Sequence, residues 1–261
     1  MNQKTIELDE LAAKLANQLI SNTEKSISFL TGAGISASAG IPTFRGKDGL
    51  WKNYDVTKFA TPEGFRENPE LVWEWYAWRQ EKIAAAAPTP SHKAISKFEE
   101  ELSRILNKDV YVITQNVDGL HQRAGSSKVI ELHGSIWRIK CTKCSHKASI
   151  DKPIDKSSLK CPKCKSWLRP DVVWFGEALD EKVLSKAYEI SAQSCIMFVV
   201  GTSGIVFPAA YLPIIARSSG ALVVDINPEK SGISDIADYF IMSEADKAVP
   251  QLLKAILAKI G

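Results

Sequence analysis

Four of the five cysteines form two C-x-x-C pairs. Cys141 and Cys144 make the first pair, Cys161 and Cys164 make the second, and 16 residues separate them. This spacing is typical of a zinc site with four thiolate ligands. Because four thiolates complete the tetrahedron, the pattern predicts one structural zinc ion with no open position for catalysis. A redox C-x-x-C motif is the alternative, and the second pair at this distance counts against it.

A glycine-rich stretch follows an apolar run near the N-terminus. Residues 27–30 predict a buried strand, and Gly32-Ala33-Gly34-Ile35-Ser36-Ala37 satisfies the G-x-G-x-x-G/A pattern of dinucleotide-binding proteins. Small residues there let backbone amides approach a phosphate at the start of a helix. Phe44 and Arg45 would add an aromatic ring and a guanidinium nearby. An ordinary strand-to-helix turn gives the same pattern and stays an alternative.

One feature of a dehydrogenase is missing. Dehydrogenases carry an Asp or Glu about 20 residues after the glycines, at the end of a second strand. Residues 46–60 form no such strand. The stretch therefore predicts a nicotinamide dinucleotide that is held in an atypical way.

Polar side chains follow a second apolar run. Residues 110–114 predict a strand, and Gln115, Asn116 and Asp118 come directly after it. Asn116 and Asp118 are two residues apart, so in extended backbone they face the same way and can both reach one amide-bearing ligand. Both residue types are also common in turns, which is the alternative interpretation.

A third predicted strand, residues 128–132, ends at His133, and Gly134 beside it leaves room for a ligand. An imidazole with a pKa near neutrality is a suitable base for removing a proton from a hydroxyl group. A lone histidine is more often structural, so this prediction depends on the surrounding motifs. Ser36, His133 and Asp118 are candidates for a hydrolase triad, but no G-x-S-x-G elbow exposes a nucleophile.

A tyrosine and an arginine lie three residues apart in an aromatic, helical segment. Tyr76 and Arg79 would share one face of this helix, where a phenol beside a guanidinium can hold a carboxylate by charge-assisted hydrogen bonds. A packed tyrosine beside a solvated arginine is the alternative interpretation.

Apolar runs that alternate with helical patterns must position these residues. Further strands are predicted at residues 195–200, 221–225 and 239–242, and helices at 7–20, 91–107, 181–193 and 248–259, with His92 as a structural residue. This alternation predicts an α/β fold, a parallel sheet with helices on both faces. Open sheets of this kind bind ligands at the carboxyl edge beside the topological switch point. Gly32, Asn116, His133, Gly201-Thr202-Ser203 and Asn227 should therefore meet in one crevice.

Size and charge limit the classes of function. A chain of 261 residues is long enough for one large domain, or a large and a small one. A net charge of +3 supports no strong electrostatic argument for nucleic acid, and the lysines are expected on solvated faces. No apolar run approaches the roughly 18 residues that span a bilayer, and residues 1–4 lack the apolar core of a signal peptide. We expect a cytoplasmic protein without a membrane partner.

Taken together, the motifs resemble the sirtuin family. The resemblance covers residues 29–228 in the family's order, and it rests on Gly32-Ala33-Gly34-Ile35-Ser36, Gly40-Ile41-Pro42-Thr43-Phe44-Arg45, Thr114-Gln115-Asn116-Val117-Asp118-Gly119-Leu120-His121, Leu132-His133-Gly134, the paired cysteines, Phe175-Gly176-Glu177 and Gly201-Thr202-Ser203. It implies an NAD-dependent protein-lysine deacylase, in which NAD is consumed and the acyl group ends on ADP-ribose. No hydride moves, which accounts for the missing acidic residue.

The resemblance also implies a division of the chain. A Rossmann-like NAD-binding domain would comprise residues 1–45, 91–136 and 171–261. A small domain would combine a helical insertion, residues 46–90, with the zinc module, residues 137–170.

Site residues follow from the positions that match the family's motifs. His133 corresponds to the base that deprotonates a ribose hydroxyl. The residues that would bind NAD are Gly32, Ala33, Gly34, Ser36, Ile41, Pro42, Phe44, Arg45, Gln115, Asn116, Asp118, Gly201, Thr202, Ser203, Asn227 and Ala245. Those that would bind the acylated lysine and its peptide, the latter as an added strand, are Tyr76, Arg79, Val173, Phe175, Gly176 and Glu177.

Tyr76 and Arg79 are similar to the Tyr-x-x-Arg signature of sirtuins that remove succinyl, malonyl or glutaryl groups. The signature predicts that acidic acyl-lysines are good substrates, with some deacetylase activity retained.

Two rival functions remain. A mono-ADP-ribosyltransferase would use the same NAD site with a different acceptor. A non-enzymatic module would bind nucleic acid or protein through the zinc knuckles, but the weak basicity of the chain and the lack of interleaved aromatic and basic residues around Cys141 to Cys164 count against this function. We expect no specific nucleic acid binding.

Overall fold

The computed structural model describes residues 7–43 and 55–261. The strands in chain order are β1 (Ser26–Thr31), β2 (Val110–Thr114), β3 (Val129–Glu131), β4 (Gly134–Cys141), β5 (Lys147–Ser149), β6 (Leu168–Val172), β7 (Ser194–Val200), β8 (Leu222–Asn227) and β9 (Tyr239–Met242). The α-helices are α1 (Leu8–Ser21), α2 (Val56–Phe59), α3 (Pro62–Glu67), α4 (Pro69–Ala85), α5 (Pro90–Leu106), α6 (Leu120–Arg123), α7 (Glu181–Gln193), α8 (Leu212–Ser218) and α9 (Ala245–Ile260).

Six strands form a parallel sheet in the order β3-β2-β1-β7-β8-β9. Alternate residues of β1 point to opposite faces, so Phe29 packs into a cluster with α1, α5 and α9, while Leu30 packs with α7 and α8. Both faces of the central strands are thus buried, which explains why their sequences are continuous apolar runs. The predicted α/β fold is confirmed.

The topological switch point lies between β1 and β7. On one side of β1 lie β2 and then β3, and on the other side lie β7, β8 and β9, so strand number increases outward from β1 in both directions. At the carboxyl ends of these two strands, the Gly34 amide donates to the Gly201 carbonyl (2.8 Å) and the Gly32 amide donates to the Val200 carbonyl (3.0 Å). Glycines allow this approach, since a β-carbon on Gly34 would lie 2.7 Å from the Gly201 α-carbon.

A separate antiparallel sheet, in the order β5-β4-β6, carries the cysteines. It packs against α4 in a second apolar core that includes Trp73, Leu168 and Trp174. Two buried hydrogen bonds fix this contact: the Trp73 indole donates to the Leu168 carbonyl (2.7 Å), and the Gln80 amide donates to the Ile136 carbonyl (2.8 Å). The two segments assigned to a small domain therefore share one core, while their exact boundaries stay a prediction.

Several local expectations change in detail. A 3₁₀ helix, Ala33–Ala39, follows the glycine-rich turn where the pattern predicts a regular helix. The last helix begins at Ala245, three residues earlier than expected, and its Asp246 carboxylate accepts hydrogen bonds from Ser91 of α5 and from the Ser38 hydroxyl. Among the residues that the structure describes, no helix is both long and apolar enough to cross a membrane.

Candidate functional site

A buried polar network joins the ends of β1 and β2. The Ser36 hydroxyl donates to the Asp118 carboxylate (2.8 Å), and the Asn116 amide donates to the Gly32 carbonyl (3.1 Å) and the Ser36 hydroxyl (3.3 Å). Asp118 also accepts from the Leu120 amide (2.9 Å). Each of these side chains is at least nine-tenths buried. Buried polar groups with this many partners are fixed in orientation, so the network presents a preformed polar wall to a ligand.

Gln115 links this network to two other strand ends. Its side-chain amide donates to the Thr202 hydroxyl after β7 (2.8 Å), and its backbone carbonyl lies 3.0 Å from Nδ1 of His133 after β3. The residues predicted to meet at the carboxyl edge of β1, β2, β3 and β7 are therefore brought together.

His133 has the geometry of a general base. A carbonyl oxygen only accepts hydrogen bonds, so Nδ1 of His133 carries the proton and Nε2 of the neutral ring keeps its lone pair. Burial lowers the pKa of His133, against the opposing effect of the hydrogen bond to Gln115. The ring is accordingly neutral and able to accept a proton at pH 7.

The predicted adenosine side of the site is built on β7, β8 and α9. Thr202 and Asn227 are buried, Ser203 is partly exposed, and its carbonyl accepts from the Gly232 amide (2.9 Å). The side-chain amide of Asn227 donates to the Asp225 carboxylate, and the backbone carbonyl of Asn227 accepts from the Ser243 amide (3.0 Å). Ala245 is buried at the start of α9.

Tyr76 and Arg79 are both buried on α4, at 2% and 8% exposure. The Arg79 guanidinium lies 4.8 Å from the centre of the Trp75 ring and 5.5 Å from that of Tyr76. Arg79 also lines a small pocket with Ile41, Pro42, Trp78, Lys82 and Ile83. The solvated arginine of the alternative interpretation is therefore wrong. Phe44 and Arg45, assigned to the reacting end of NAD, lie outside the described residues.

Two neighbouring residues favour the charged form of the buried Arg79 guanidinium. Burial lowers the pKa of Arg79, and Tyr76 and Asp118 oppose that shift by favouring the charged guanidinium. Burial raises the pKa of Tyr76, which keeps its phenol protonated as a hydrogen-bond donor. A buried cation beside a phenol donor is suited to a carboxylate ligand.

The segment after β6 is held in place by contacts that no sequence pattern predicts. Arg169 pairs with Glu177 through two hydrogen bonds (2.6 and 2.9 Å) and lies 3.3 Å from the centre of the Trp174 ring. The Trp174 indole donates to the Tyr76 hydroxyl (2.8 Å), which ties this segment to the arginine pocket. Both α4 and the segment after β6 are rich in aromatic residues, but the sequence does not show that these residues contact one another in the fold.

Backbone groups limit how a peptide can pair with this segment. The Val173 amide donates to the His133 carbonyl (2.9 Å), and the Phe175 amide donates to the Ala60 carbonyl (2.9 Å). The Trp174 and Glu177 amides are bonded within the segment. The predicted pairing with a peptide strand would have to use other backbone groups, such as the Gly176 amide.

Two buried histidines lie behind the polar network. The ring centres of His92 and His121 are 4.5 Å apart, and burial lowers the pKa of both, that of His121 well below its usual value. His92 completes a capping box with Thr89 at the start of α5, as its predicted structural role requires. His121 contacts the Thr31 hydroxyl (2.9 Å), a role that the sequence did not suggest.

The four predicted cysteine ligands converge. All four sulfur atoms lie within 4.8 Å of one another, with Cys141 and Cys164 3.4 Å apart and Cys144 and Cys161 3.7 Å apart. Tetrahedral zinc with bonds of about 2.3 Å requires sulfur atoms about 3.8 Å apart, so the donor set fits this metal. Cys195 is buried in β7, away from the cluster, as a small apolar residue.

The crevice also fits a dinucleotide. Its polar side chains are amides and hydroxyls (Asn116, Gln115, Thr202), which suit ribose and carboxamide groups, and Gly32 and Gly34 let the loops after β1 and β7 meet closely at the switch point. The amides of these two glycines are bonded to Val200 and Gly201, so they are not the phosphate donors that the glycine-rich pattern predicts.

Comparison with known proteins agrees with this geometry. The family model described as "Sir2 family" matches residues 32–208. A relative from Aquifex aeolicus, named NAD-dependent protein deacylase, is 50% identical over 233 residues, which cover 89% of this chain and 95% of the relative. A second relative, NAD-dependent protein deacylase 2 from Pyrobaculum aerophilum, is 51% identical over 230 residues, covering 88% of this chain and 90% of that protein.

A solved structure shows the same fold with a ligand. The complex of a Sir2 homolog with NAD superimposes with a TM-score of 0.85 at 42% identity, covering 95% of this chain and 94% of the other.

Proposed function

The chain belongs to the Sir2 family, and on that basis we propose that it is an NAD-dependent protein-lysine deacylase that accepts acetyl and acidic acyl groups. The products would be nicotinamide and an O-acyl-ADP-ribose. The observation that carries this proposal is the hydrogen bond between Nδ1 of His133 and the Gln115 carbonyl. It holds the His133 ring at the same strand edge as the network of Ser36, Asn116 and Asp118.

Each residue of the network has a role in this reaction. Bound NAD supplies an electrophilic ribose carbon with nicotinamide as its leaving group. Asn116 and Asp118, held by Ser36, orient the ribose and carboxamide at one end, and Thr202, Ser203 and Asn227 bind the adenosine half. His133 accepts a proton at Nε2 from a ribose hydroxyl, because Nδ1 is bonded to the Gln115 carbonyl. Burial of the network excludes water that would compete with the acyl oxygen.

Zinc has a structural role in this proposal. Four cysteines would complete its coordination, so the ion offers no open position to a substrate. The substrate peptide would bind as a strand along residues 173–177, between the two cores, with its acylated lysine directed toward His133.

A matched pair of peptides tests the function. Acetyl-lysine and succinyl-lysine versions of one sequence are incubated with and without NAD, and nicotinamide and deacylated peptide are followed by mass spectrometry. We expect both products in equal amounts and only with NAD. Release of nicotinamide with ADP-ribose attached to protein would instead support the ADP-ribosyltransferase alternative, which the deacylase names of the relatives do not favour.

The acidic acyl preference rests on the buried pair Tyr76 and Arg79. A succinyl carboxylate in the pocket beside Ile41 and Pro42 would meet a guanidinium that is already desolvated, and the Tyr76 phenol can donate a second hydrogen bond. Charge-assisted hydrogen bonds of this kind are about twice as strong as neutral ones. Acetyl-lysine forms neither contact, so it gains nothing from the pair.

Replacing Arg79 by Met should therefore change specificity. We expect Arg79→Met to lower kcat/KM for the succinyl peptide by roughly 10- to 150-fold, the equivalent of about 1.5 to 3 kcal/mol for a hydrogen bond to a charged group. The value for the acetyl peptide should change by less than about threefold. Steady-state kinetics on the peptide pair measures both.

A neighbouring lysine provides the control. Lys82 lines the same pocket but is exposed, so Lys82→Met removes a positive charge without removing the buried contact. It should leave the ratio of succinyl to acetyl turnover nearly unchanged. Equal losses in the two variants, or intact succinyl turnover in Arg79→Met, would contradict the acyl assignment.

A further inference from the structure

Positive charge is concentrated in the zinc module. Residues 137–170 contain ten Lys and Arg residues and two Asp residues, a formal charge of +8. The whole chain is +3, so the other 227 residues together carry −5. A zinc ion bound to four thiolates adds a formal −2, and the flanking carboxylates of Glu131, Asp171 and Glu177 pair with basic residues of the module, which leaves it with a net charge of about +3. The modest charge of the whole chain conceals this separation.

The fold brings together the two loops that carry three of these lysines. Lys143 lies inside the first C-x-x-C pair and Lys163 inside the second, and Lys165 follows directly. Because the four sulfur atoms lie within 4.8 Å of one another, the two loops that carry these lysines are neighbours. All three side chains are exposed, as are those of Lys147, Lys152 and Lys160 elsewhere in the module.

Few carboxylates neutralise this surface. In the described part of the chain, Lys147 is the one exposed lysine of the six with an ion pair, and its partner Asp171 is shared with Lys140. Asp151 and Asp155 are exposed in the loop that follows β5. The knuckle lysines Lys143, Lys163 and Lys165 have no carboxylate partner among the described residues.

The composition of the surface identifies the kind of partner. Protein interfaces have apolar or aromatic centres and are depleted in lysine. Within the described residues of the module, no large apolar side chain is exposed. The one aromatic ring beside these lysines that could stack on an unpaired base, Trp167, is covered by the Lys160 ammonium at 3.1 Å from its centre. Single-strand binding depends on such stacking, whereas duplex binding without sequence preference needs only phosphate contacts.

We propose that the lysine surface of the zinc module, defined by Lys143, Lys147, Lys152, Lys160, Lys163 and Lys165, binds the phosphate backbone of duplex DNA without sequence preference. Lysine neutralises phosphates as a point charge and reads no base. The inference is independent of the deacylase activity, because it uses no residue of the crevice. It also leaves the expectation of no sequence-specific nucleic acid binding unchanged.

Salt dependence is the first measurement. Binding of short fluorescent duplexes of two unrelated sequences to the full-length protein is followed by anisotropy, between about 50 and 200 mM salt. We expect equal affinities for the two sequences. A plot of log K against log salt should have a slope of about −3 to −5, as for the release of counterions from roughly three to six phosphates.

Matched variants locate the surface. The triple variant Lys143→Gln, Lys163→Gln, Lys165→Gln should weaken binding at least tenfold at low salt and reduce the slope by about 2 to 3, since each phosphate contact contributes about 1. The Lys→Arg versions of the same three positions keep the charge and should bind as the parent does. A control triple, Lys93→Gln, Lys97→Gln, Lys254→Gln, removes three exposed charges from α5 and α9 and should have little effect.

Zinc content and peptide deacylation show whether each variant is folded. If the knuckle triple loses zinc, the pair Lys147→Gln, Lys152→Gln, which is farther from the ligands in sequence, replaces it and should reduce the slope by about 1 to 2. The proposal is wrong if the parent protein does not bind duplex DNA at low salt, or if the control triple weakens binding as much as the knuckle triple. Tighter binding to single-stranded RNA or to polyglutamate than to the duplex would also overturn it.

Discussion

Replacing His133 by Ala should lower kcat for NAD-dependent deacylation by roughly 100- to 10,000-fold, the usual effect of losing a positioned general base. A hydrogen bond from Nδ1 to the Gln115 backbone carbonyl fixes the His133 ring, so the lone pair on Nε2 is free to accept a proton. No neighbouring histidine can replace it, because His92 and His121 are buried behind the polar network and bonded to Thr89 and Thr31. Single-turnover measurements with saturating NAD and peptide isolate the chemical step.

The pH profile of the parent protein tests the same assignment. A base works in its neutral form, and burial lowers the pKa of His133 from its usual 6.5. Activity should therefore be full at neutral pH and fall as the pH decreases through a value below 6.5. The His133→Ala variant should lose this acid limb, while His146→Ala, a change outside the crevice, should keep both the rate and the limb. Loss of activity without loss of the limb would indicate a different base.

Removal of zinc should unfold the small sheet and abolish activity. Zinc binding by small domains contributes on the order of 10 kcal/mol of folding free energy. The sheet of β4, β5 and β6 has little other support at its far end, since β5 is three residues long and largely exposed. Strong chelators should therefore lower the melting temperature, change the near-ultraviolet circular dichroism of the tryptophans and stop turnover. Adding zinc back should restore all three.

The fifth cysteine provides a control for this experiment. Cys164→Ser removes one ligand and should give a protein with less than one zinc per chain. Cys195→Ala changes a buried cysteine outside the cluster and should keep one zinc per chain and most of the activity. A chelated protein that lacks zinc and still turns over at the original rate would refute the structural role.

The sequence predicts those parts of the fold that depend on local pattern. Fully buried strands such as β7 are continuous apolar runs, and the spacing of the cysteines predicts that their four sulfur atoms converge on one metal site. Because the strands are parallel, their carboxyl ends lie at one edge of the sheet, which brings Gln115, His133 and Thr202 together. The positions of these strands along the chain can be predicted because burial on both faces of a parallel sheet requires continuous apolar runs.

Contacts between distant segments could not be predicted in the same way. The Trp174 indole reaches the Tyr76 hydroxyl across 98 positions, and no spacing rule relates the two residues. The pairing of His92 with His121 likewise depends on how α5 packs against α6. Charge is a different case: the basic zinc module can be counted from the sequence, but a total over the whole chain averages it with an acidic remainder.

Glycines at the meeting point of β1 and β7 restrict attempts to make this protein more heat-resistant. Exchanging glycine for alanine usually stabilises a protein by about 0.4 to 1 kcal/mol where the backbone permits it, because the unfolded chain loses freedom. At Gly32, Gly34 and Gly201 a methyl group would lie 2.6 to 2.8 Å from atoms of the opposing loop. These positions are closed to that strategy, so an engineer or natural selection must seek added heat resistance elsewhere in the chain.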